Sequence, residues 1–442
     1  MRIQLSDHFT YKKLFRFTLP SVVMMIFTSV YGVVDGFFVS NFVGKTPFAA
    51  VNFIMPFLMI LGAVGFMFGT GGSALISKTM GEGDSVRANR LFSMFVYISA
   101  VCGIIIAVFG IIFLRPIAVL LGAEGVMLDN CVVYGRIILL ALPAYMLQFE
   151  FQSFFVTAGK PQLGLAVTII SGAANMVLDA LLVAVFDFGL SGAAAATAIS
   201  QCIGGLVPVI YFLCPNSSLL RLTKTAFDGR ALLTGCVNGS SELMSNISMS
   251  LVSMLYNVQL MKFAGEDGVA AYGVLMYVNM IFLAAFIGYS VGTAPVIGYN
   301  YGAKNSAELK NMFKKSLIII ATLSAAMFAS AELFAVPLSK IFVGYDSALL
   351  EITKRGFIIY SFSFLFAGIA IYGSAFFTAL NNGLVSALIS FLRTLVLQVA
   401  AVLLLPAVWG VDGIWLSIVA AELLAAVITF CFLAAKRNKY QY

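Results

Sequence analysis

The sequence predicts an all-α membrane protein with twelve transmembrane helices arranged in two six-helix lobes. Three observations lead to this fold class. Hydrophobic residues make up 61% of the 442 residues and charged residues only 10%, more apolar surface than a soluble domain can bury. Twelve apolar runs are long enough to cross a bilayer, which needs roughly 20 residues per helix. The two halves of the chain also repeat each other.

The repeat has a constant offset of 221 residues, which is half of the chain. Without any gap, residues 49–92 align with residues 270–313. An internal repeat of this length indicates one ancestral unit in tandem rather than two unrelated domains. The glycines that coincide are Gly71 with Gly292 and Gly81 with Gly302.

Each apolar run defines one predicted span, and a polar connector divides the spans into two lobes. We assign residues 1–214 to the N-terminal lobe, 215–230 to a connector, and 231–442 to the C-terminal lobe. The spans are predicted at about 14–42, 50–78, 91–114, 130–156, 163–187, 190–213, 232–262, 270–299, 316–338, 356–378, 384–407 and 412–435.

The distribution of Lys and Arg predicts the orientation in the membrane. With the N-terminus inside, 18 of the 26 basic residues fall in cytoplasmic segments and 6 in outer ones, which leaves two within spans. The positive-inside rule therefore places both termini in the cytoplasm. Because each half has an even number of spans, the two lobes should be related by a pseudo-twofold axis along the membrane normal. Parallel repeats of this kind are a transporter architecture.

Ionisable residues within spans are the candidates for function, because they are costly in a bilayer and usually face the protein interior or a water-filled cavity. The set is Asp35, Arg136, Glu150, Asp179, Glu242, Arg393 and Glu422.

Two of these acids are predicted to lie at one depth. From the helical rise of 1.5 Å per residue, Asp35, Asp179 and Thr197 should lie roughly 10–12 Å below the outer surface. Asn175 is one helical turn from Asp179 and faces the same way. Oxygen ligands suit a hard cation, and two adjacent acids in a low dielectric would share a proton. The pattern predicts a proton or sodium site, and the alternative is a polar packing network.

The cluster is confined to one half of the chain, which favours a functional interpretation. The residues at the same positions of the second half are Tyr256, Val396, Ala400 and Ile418.

The other charges within spans suggest different roles. Arg393 and Glu422 lie near mid-depth on consecutive spans and are expected to neutralise each other, since buried charges are normally paired. Glu242 could pair with Arg393 instead, or meet a cationic substrate on the transport path. Glu150 is expected near the inner membrane interface, close to Lys160. Arg136 lies near an outer helix end, where its side chain can extend to water.

Four motifs occur in a fixed order along the chain: VYGVVDGFFV in span one, TMGEGD after span two, NMVLD in span five and GAAAAT in span six. With the six-plus-six spans, they resemble the MATE (multidrug and toxic compound extrusion) family of cation-coupled exporters, particularly a bacterial branch. The resemblance covers essentially the whole chain. It implies an N-lobe cation site formed by Asp35, Asn175, Asp179 and Thr197, with Tyr134 nearby.

The resemblance also suggests where this chain departs from some relatives. Those relatives use a C-lobe site built from one acid in span seven and another in span ten. Glu242 matches the first acid, whereas SFSFLFAGIAIYGSAFF in span ten offers no acid for the second. A complete C-lobe site is therefore not expected.

The leading interpretation is an antiporter, not an enzyme, that exports organic and often cationic compounds by alternating access, driven by H⁺ or Na⁺ and without a cofactor. We expect a monomer in the bacterial inner membrane that binds no nucleic acid. The first alternative is a flippase for lipids or lipid-linked oligosaccharides, which would need a strongly cationic cavity. The second is an integral membrane enzyme, which would need a metal motif or a histidine within a span, and the single histidine is His8.

Overall fold

The computed structural model describes residues 3–343 and 347–442, and these ranges are almost entirely helical without any strand. Two kinds of signal determine where helices begin and end. Asp84 caps α3, because its side chain accepts a hydrogen bond from the amide of Arg87, and Gly122 ends that helix in a left-handed conformation. The first half contains α1 (Tyr11–Phe38), α2 (Lys45–Gly81), α3 (Ser85–Leu121), α4 (Gly125–Leu140), α5 (Leu142–Thr157), α6 (Pro161–Asp179) and α7 (Gly189–Leu213).

The second half is helical in the same way after a connector without regular structure. It contains α8 (Gly229–Gly302), α9 (Ser306–Val343), α10 (Ser347–Ser361), α11 (Phe364–Ala379), α12 (Gly383–Phe391), α13 (Leu397–Leu404) and α14 (Pro406–Tyr440). Three π-helical segments interrupt or extend these helices: Val39–Val43 after α1, Ala180–Val185 after α6, and Leu392–Val396 between α12 and α13.

These helices account for twelve spans. In the described ranges, nine helical stretches are long and apolar enough to cross a membrane, and two bent pairs pass the same test, α4 with α5 (58°) and α10 with α11 (48°). The longest stretch, α8, is broken at Gly265, whose φ of 64° is left-handed and readily adopted by glycine. Counted as two spans, α8 brings the total to the predicted twelve.

Both termini lie on the same side of the molecule, which we call the terminal face. The amide of Phe9 donates to Oε1 of Glu308 at 2.9 Å, and Nζ of Lys315 donates to the carbonyl oxygen of Phe9 at 2.6 Å. At the other end of the chain, the ring of Tyr442 lies 4.8 Å from that of Phe313. Glu308, Phe313 and Lys315 all belong to the start of α9, so one helix end holds both termini.

The contacts between α2 and the second part of α8 are symmetric under the 221-residue repeat. A β-carbon added to Gly81 would come within 3.0 Å of the carbonyl oxygen of Tyr299, and one added to Gly302 would come equally close to that of Lys78. Lys78 and Tyr299 are themselves 221 residues apart. Exchanging the two halves of the chain leaves this contact unchanged, as the pseudo-twofold axis requires.

A second pair of repeat-related contacts flanks the first. Gly71 on α2 lies against the backbone of Gly235 and Gly239 in the first part of α8. Its repeat partner Gly292 lies against Thr18 on α1, and Thr18 is the repeat partner of Gly239. The two lobes therefore touch backbone to backbone near the terminal face, where glycine permits a closer approach than any other residue.

We predict that Gly71→Ala or Gly239→Ala opens the lobes at the terminal face. Each added methyl group would meet backbone atoms closer than 3.0 Å, and backbone cannot move aside as a flexible side chain can. Overpacking of this kind costs about 1–3 kcal/mol. Spin labels at Ser85 and Ser306, which are repeat-related first residues of α3 and α9, should show a longer mean distance, and the melting temperature should fall.

The matched controls are Gly32→Ala and Gly273→Ala, because a β-carbon at either position has no neighbour within 4 Å. Alanine is favoured over glycine in a helix by about 1 kcal/mol, so these variants should melt at the same or a higher temperature. Equal behaviour of the two sets would contradict the assigned role of the interlobe glycines.

Candidate functional site

The acid and the amide predicted at one face of span five are both buried in the N-terminal lobe. Asp179 is the last residue of α6 and Asn175 lies one turn earlier, and their exposed fractions are 0% and 1%. Within the described part of the chain, neither carboxylate oxygen of Asp179 and neither side-chain atom of Asn175 has a hydrogen-bond partner. Because buried polar groups are normally paired, four such atoms together make this cluster a candidate binding site.

Asp35 on α1 faces this pair from the neighbouring helix. Its carboxyl group lies close enough to interact with both Asp179 and Asn175. The hydroxyl of Thr197 on α7 donates to Oδ1 of Asp35 at 3.3 Å. The structure thus brings together the four residues singled out in the sequence.

Tyr134 on α4 closes the cluster from a fourth helix. Its side chain is fully buried and interacts with Thr197 and with both acids, while its hydroxyl lies 3.7 Å from the sulfur of Met55. We call Asp35, Tyr134, Asn175, Asp179 and Thr197 the N-lobe acid cluster.

Both acids of the N-lobe acid cluster lie beside π-helical segments. Asp179 directly precedes the segment Ala180–Val185, and Asp35 lies one turn before Val39–Val43. A π-helical turn changes the direction of the side chains that follow it and is frequent at functional sites. The C-terminal ends of α1 and α6 therefore differ from ideal helices at the point where the two acids meet.

The donor set of the cluster consists of two carboxyl groups, an amide and two hydroxyls. Among the described residues, no group of three or more His, Cys, Asp or Glu side chains could hold a metal ion. Oxygen atoms from acids and neutral groups are the partners of a proton or a hard monovalent cation. A bound cation or proton at such a site would relieve the repulsion between two ionised carboxylates.

A separate cavity of about 330 Å³ lies mostly in the C-terminal lobe. The N-terminal lobe contributes only small polar side chains to its wall: Thr70, Ser73 and Ser153. Its charged wall is formed by Arg393 and Glu422, whose ion pair was expected from the sequence. Nε of Arg393 donates to both carboxylate oxygens of Glu422, at 3.0 and 2.8 Å. Arg393 belongs to the π-helical segment Leu392–Val396.

Glu242 lines the same cavity near Arg393, but it is not the partner of that residue in this conformation. Among the described residues it takes part in no ion pair. The structure therefore pairs Arg393 with Glu422 and not with Glu242, and a role for Glu242 on the substrate path stays a prediction.

The remaining wall of the cavity combines aromatic rings and methionines with aliphatic and small polar side chains, among them Ser245, Ser253 and Asn279. Tyr256 stacks on Tyr272 with ring centroids 5.3 Å apart and planes parallel to within 1°. Tyr256 is the repeat partner of Asp35, so one position carries an acid in one lobe and a cavity-lining ring in the other. Flexible, polarizable methionines also line the cavity: Met249, Met276 and Met280.

One expectation for the acids was wrong. Glu150 is not an interfacial acid beside Lys160, because it lies about two turns before the end of α5 and its side chain faces the interior of the lobe. It is fully buried against Gly69 of α2, and in the described chain neither of its carboxylate oxygens has a hydrogen-bond partner. Nζ of Lys160 instead donates to Ser217 of the connector.

Sequence reasoning also missed Glu332, which lies within span nine. Its Oε1 accepts a hydrogen bond from the hydroxyl of Ser361 on α10. A systematic search of every predicted span for acids would have found it. Glu332 is not part of the cavity wall described above.

Comparison with known proteins agrees with this architecture. The chain is 25% identical over 436 residues to the multidrug export protein MepA of Staphylococcus haemolyticus, an alignment that covers 97% of this chain and 94% of the relative. It is 24% identical over 431 residues to MepA of Staphylococcus aureus, with coverages of 97% and 94%.

Solved structures share the fold. A crystal structure of MATE in complex with MaL6 superposes with a TM-score of 0.93 at 22% identity, covering 98% of both chains. An outward-facing multidrug resistance MATE family transporter of the MOP superfamily superposes with a TM-score of 0.92 at 22% identity, covering 98% of this chain and 97% of the other. The model of the MatE family matches residues 20–181 and 243–404, once in each repeat, so the chain belongs to the MatE family of membrane transporters and is not an enzyme.

Proposed function

We propose that this protein exports organic, often cationic compounds across the bacterial cell membrane in exchange for H⁺ or Na⁺. The observation that carries the proposal is the separation of two polar sites: a buried pair of acids in one lobe and a substrate-sized cavity with an available acid in the other. The names of the staphylococcal relatives, which are multidrug export proteins, support the substrate class.

The N-lobe acid cluster is the proposed coupling site. Asp35 and Asp179 repel each other when both are ionised in a low dielectric, so a proton or a sodium ion stabilises the closed packing of α1 and α6. When the ion leaves, the repulsion returns and the helices repack. An ion can bias alternating access only if it binds the two conformations with different affinity, and the acid pair supplies that difference.

The cavity of the C-terminal lobe is the proposed substrate site. Glu242 would contact the positive group of the substrate, while Tyr256 and Tyr272 present aromatic faces, which attract organic cations. The methionines adapt to different apolar shapes, which suits an exporter of varied compounds. Among the described residues that line the cavity, Arg393 is the only basic one, and Glu422 neutralises it. This balance disfavours the flippase alternative, which needs free positive charge for phosphate groups.

The conformation is proposed to be outward-facing. The lobes meet at the terminal face through Gly71 and Gly81, whereas Gly32 and Gly273 in the opposite halves of α1 and α8 have no neighbouring atoms at their β-carbon positions. The distribution of Lys and Arg assigns the terminal face to the cytoplasm. Closure there leaves the cavity accessible from the outside.

For the coupling site we predict that the Asp35→Asn, Asp179→Asn double variant loses gradient-driven export. The amides keep the shape of the acids but cannot be neutralised by a proton, so a gradient no longer biases the conformations. Efflux of a fluorescent organic cation should be followed in proteoliposomes with proton and sodium gradients imposed separately. Asp129→Asn is the matched control, because Asp129 is exposed and pairs with Arg115 at a distance from the cluster. Normal export by the double variant would eliminate the proposed coupling site.

For the substrate site we predict that Glu242→Gln weakens equilibrium binding of an organic cation roughly 10-fold, the loss expected for one hydrogen bond to a charged group. Binding of a neutral analogue of the same shape should not change. Glu422→Gln should instead lower stability, because it leaves Arg393 without its partner, and breaking a buried ion pair costs about 3–5 kcal/mol. Calorimetric titration and thermal unfolding of both variants separate the effects. Unchanged cation binding by Glu242→Gln would remove this residue from the substrate path.

For the orientation we predict that single cysteines at Ser217 and Ser347 react differently in intact cells. Ser217 lies in the connector on the terminal face and Ser347 begins α10 on the opposite side. In a background without the six native cysteines, an impermeant thiol reagent should label position 347 and spare position 217. The reverse pattern would invert the assigned topology.

A further inference from the structure

A second cavity lies outside the transport path, on the terminal face. It has a volume of about 750 Å³ and is formed between the first turns of α3 and the end of the connector that precedes α8. We call it the connector pocket. The lining residues include the basic side chains Arg87, Arg90 and Lys224 and the apolar side chains Val86 and Phe227.

The connector is held against α3 by several hydrogen bonds, so the position of the pocket wall is defined. The amide of Arg221 donates to Oδ1 of Asn89 at 2.6 Å, and the amide of Thr223 donates to the hydroxyl of Ser93 at 2.8 Å. The hydroxyl of Thr225 donates to the carbonyl oxygen of Arg90 at 2.9 Å. The basic side chains therefore project from a held backbone.

The two acids in the pocket are already used as helix caps. Oδ1 of Asp84 accepts from the amide of Arg87 at 2.9 Å at the start of α3, and Oδ1 of Asp228 accepts from the amide of Ala231 at 3.0 Å at the start of α8. In the described chain, the ion pairs do not include Arg87, Arg90 or Lys224. The side chains give a formal charge of +1, and each helix N-terminus adds about half a positive charge. The pocket thus favours an anion.

The edge of the connector pocket is apolar and exposed. The exposed fraction of Phe227 is 73% and that of Val86 is 65%, and Leu91 and Met94 continue the apolar surface inward. The pocket lies where α3 and α8 enter the membrane, so these side chains lie at the boundary between lipid and water. Uncompensated basic groups beside exposed apolar groups at this depth match a phospholipid, whose phosphate is charged and whose chains are apolar.

We propose that the connector pocket binds an anionic phospholipid with a single phosphodiester, such as phosphatidylglycerol. Its phosphate contacts Arg87, Arg90 and Lys224, and an acyl chain lies along Phe227 and Val86. Because the pocket is lined by α3 and by the connector as far as Asp228, the bound lipid stabilises the packing of the connector against α3 at the terminal face. This site is independent of the proposed export activity.

The test compares lipid-dependent stability of the full-length protein in detergent. Phosphatidylglycerol should raise the melting temperature, whereas phosphatidylcholine with the same acyl chains should not. In the Arg87→Gln, Arg90→Gln, Lys224→Gln variant, the apparent affinity for phosphatidylglycerol should fall on the order of 100-fold, since each basic residue near a membrane surface contributes about a factor of five. All three side chains are at the surface, so the variant should fold. If it melts below the parent protein in the absence of lipid, the single variant Lys224→Gln is used in its place.

A control variant removes the same charge from the same face outside the pocket: Lys12→Gln, Lys310→Gln, Lys314→Gln. It should keep the affinity of the parent for phosphatidylglycerol. Phe227→Ser should weaken the long-chain lipid and leave a water-soluble short-chain phosphatidylglycerol unaffected. If the control and the pocket variant lose the same affinity for phosphatidylglycerol, the effect is due to the general charge of this face. If inorganic phosphate alone raises the melting temperature as much as phosphatidylglycerol, the pocket binds a free anion and not a lipid. Either outcome would overturn the proposal.

Discussion

The backbone contact between α2 and α8 is the constraint on which the rest of the structure depends. Gly71, Gly81, Gly239 and Gly302 leave no room for a side chain, so the lobes meet directly near the terminal face. Close backbone approach through small residues is a common way for membrane helices to pack. The lobes are in contact at this end of the molecule. Farther along the helices they diverge, and the cavity lies there.

The repeat places equivalent helices around this contact, but the side chains at equivalent positions of the two lobes differ in charge and polarity. In the N-terminal lobe, Asp35 and Asp179 are packed among helices and away from the cavity. In the C-terminal lobe, the partner of Asp35 is Tyr256, which lines the cavity, and the charge is carried by Arg393 and Glu422. One lobe is thereby suited to an ion and the other to an organic molecule. In the exchange mechanism that we propose, the ion acts on the conformation without occupying the substrate site.

The buried acids differ in how their charge is balanced, and this difference separates their roles. Glu422 is paired with Arg393 and is structural in this conformation. Asp179 has a second acid and neutral oxygens beside it, which suits a bound ion. Glu150 is fully buried beside Gly69 of α2 and near Ser99 of α3, and in the described chain neither of its carboxylate oxygens has a hydrogen-bond partner.

The sequence by itself determined the membrane class, the twelve spans, the repeat and the five members of the N-lobe acid cluster. Helical rise is regular and residues four apart share a face, so depth along a span and the pairing of Asn175 with Asp179 follow from counting, while the family resemblance added Tyr134. Only the tertiary structure decided that Arg393 pairs with Glu422 rather than Glu242, that Glu150 is buried, and that the connector forms a basic pocket. These features depend on which helix faces meet across hundreds of residues, and no local pattern in the chain records that choice.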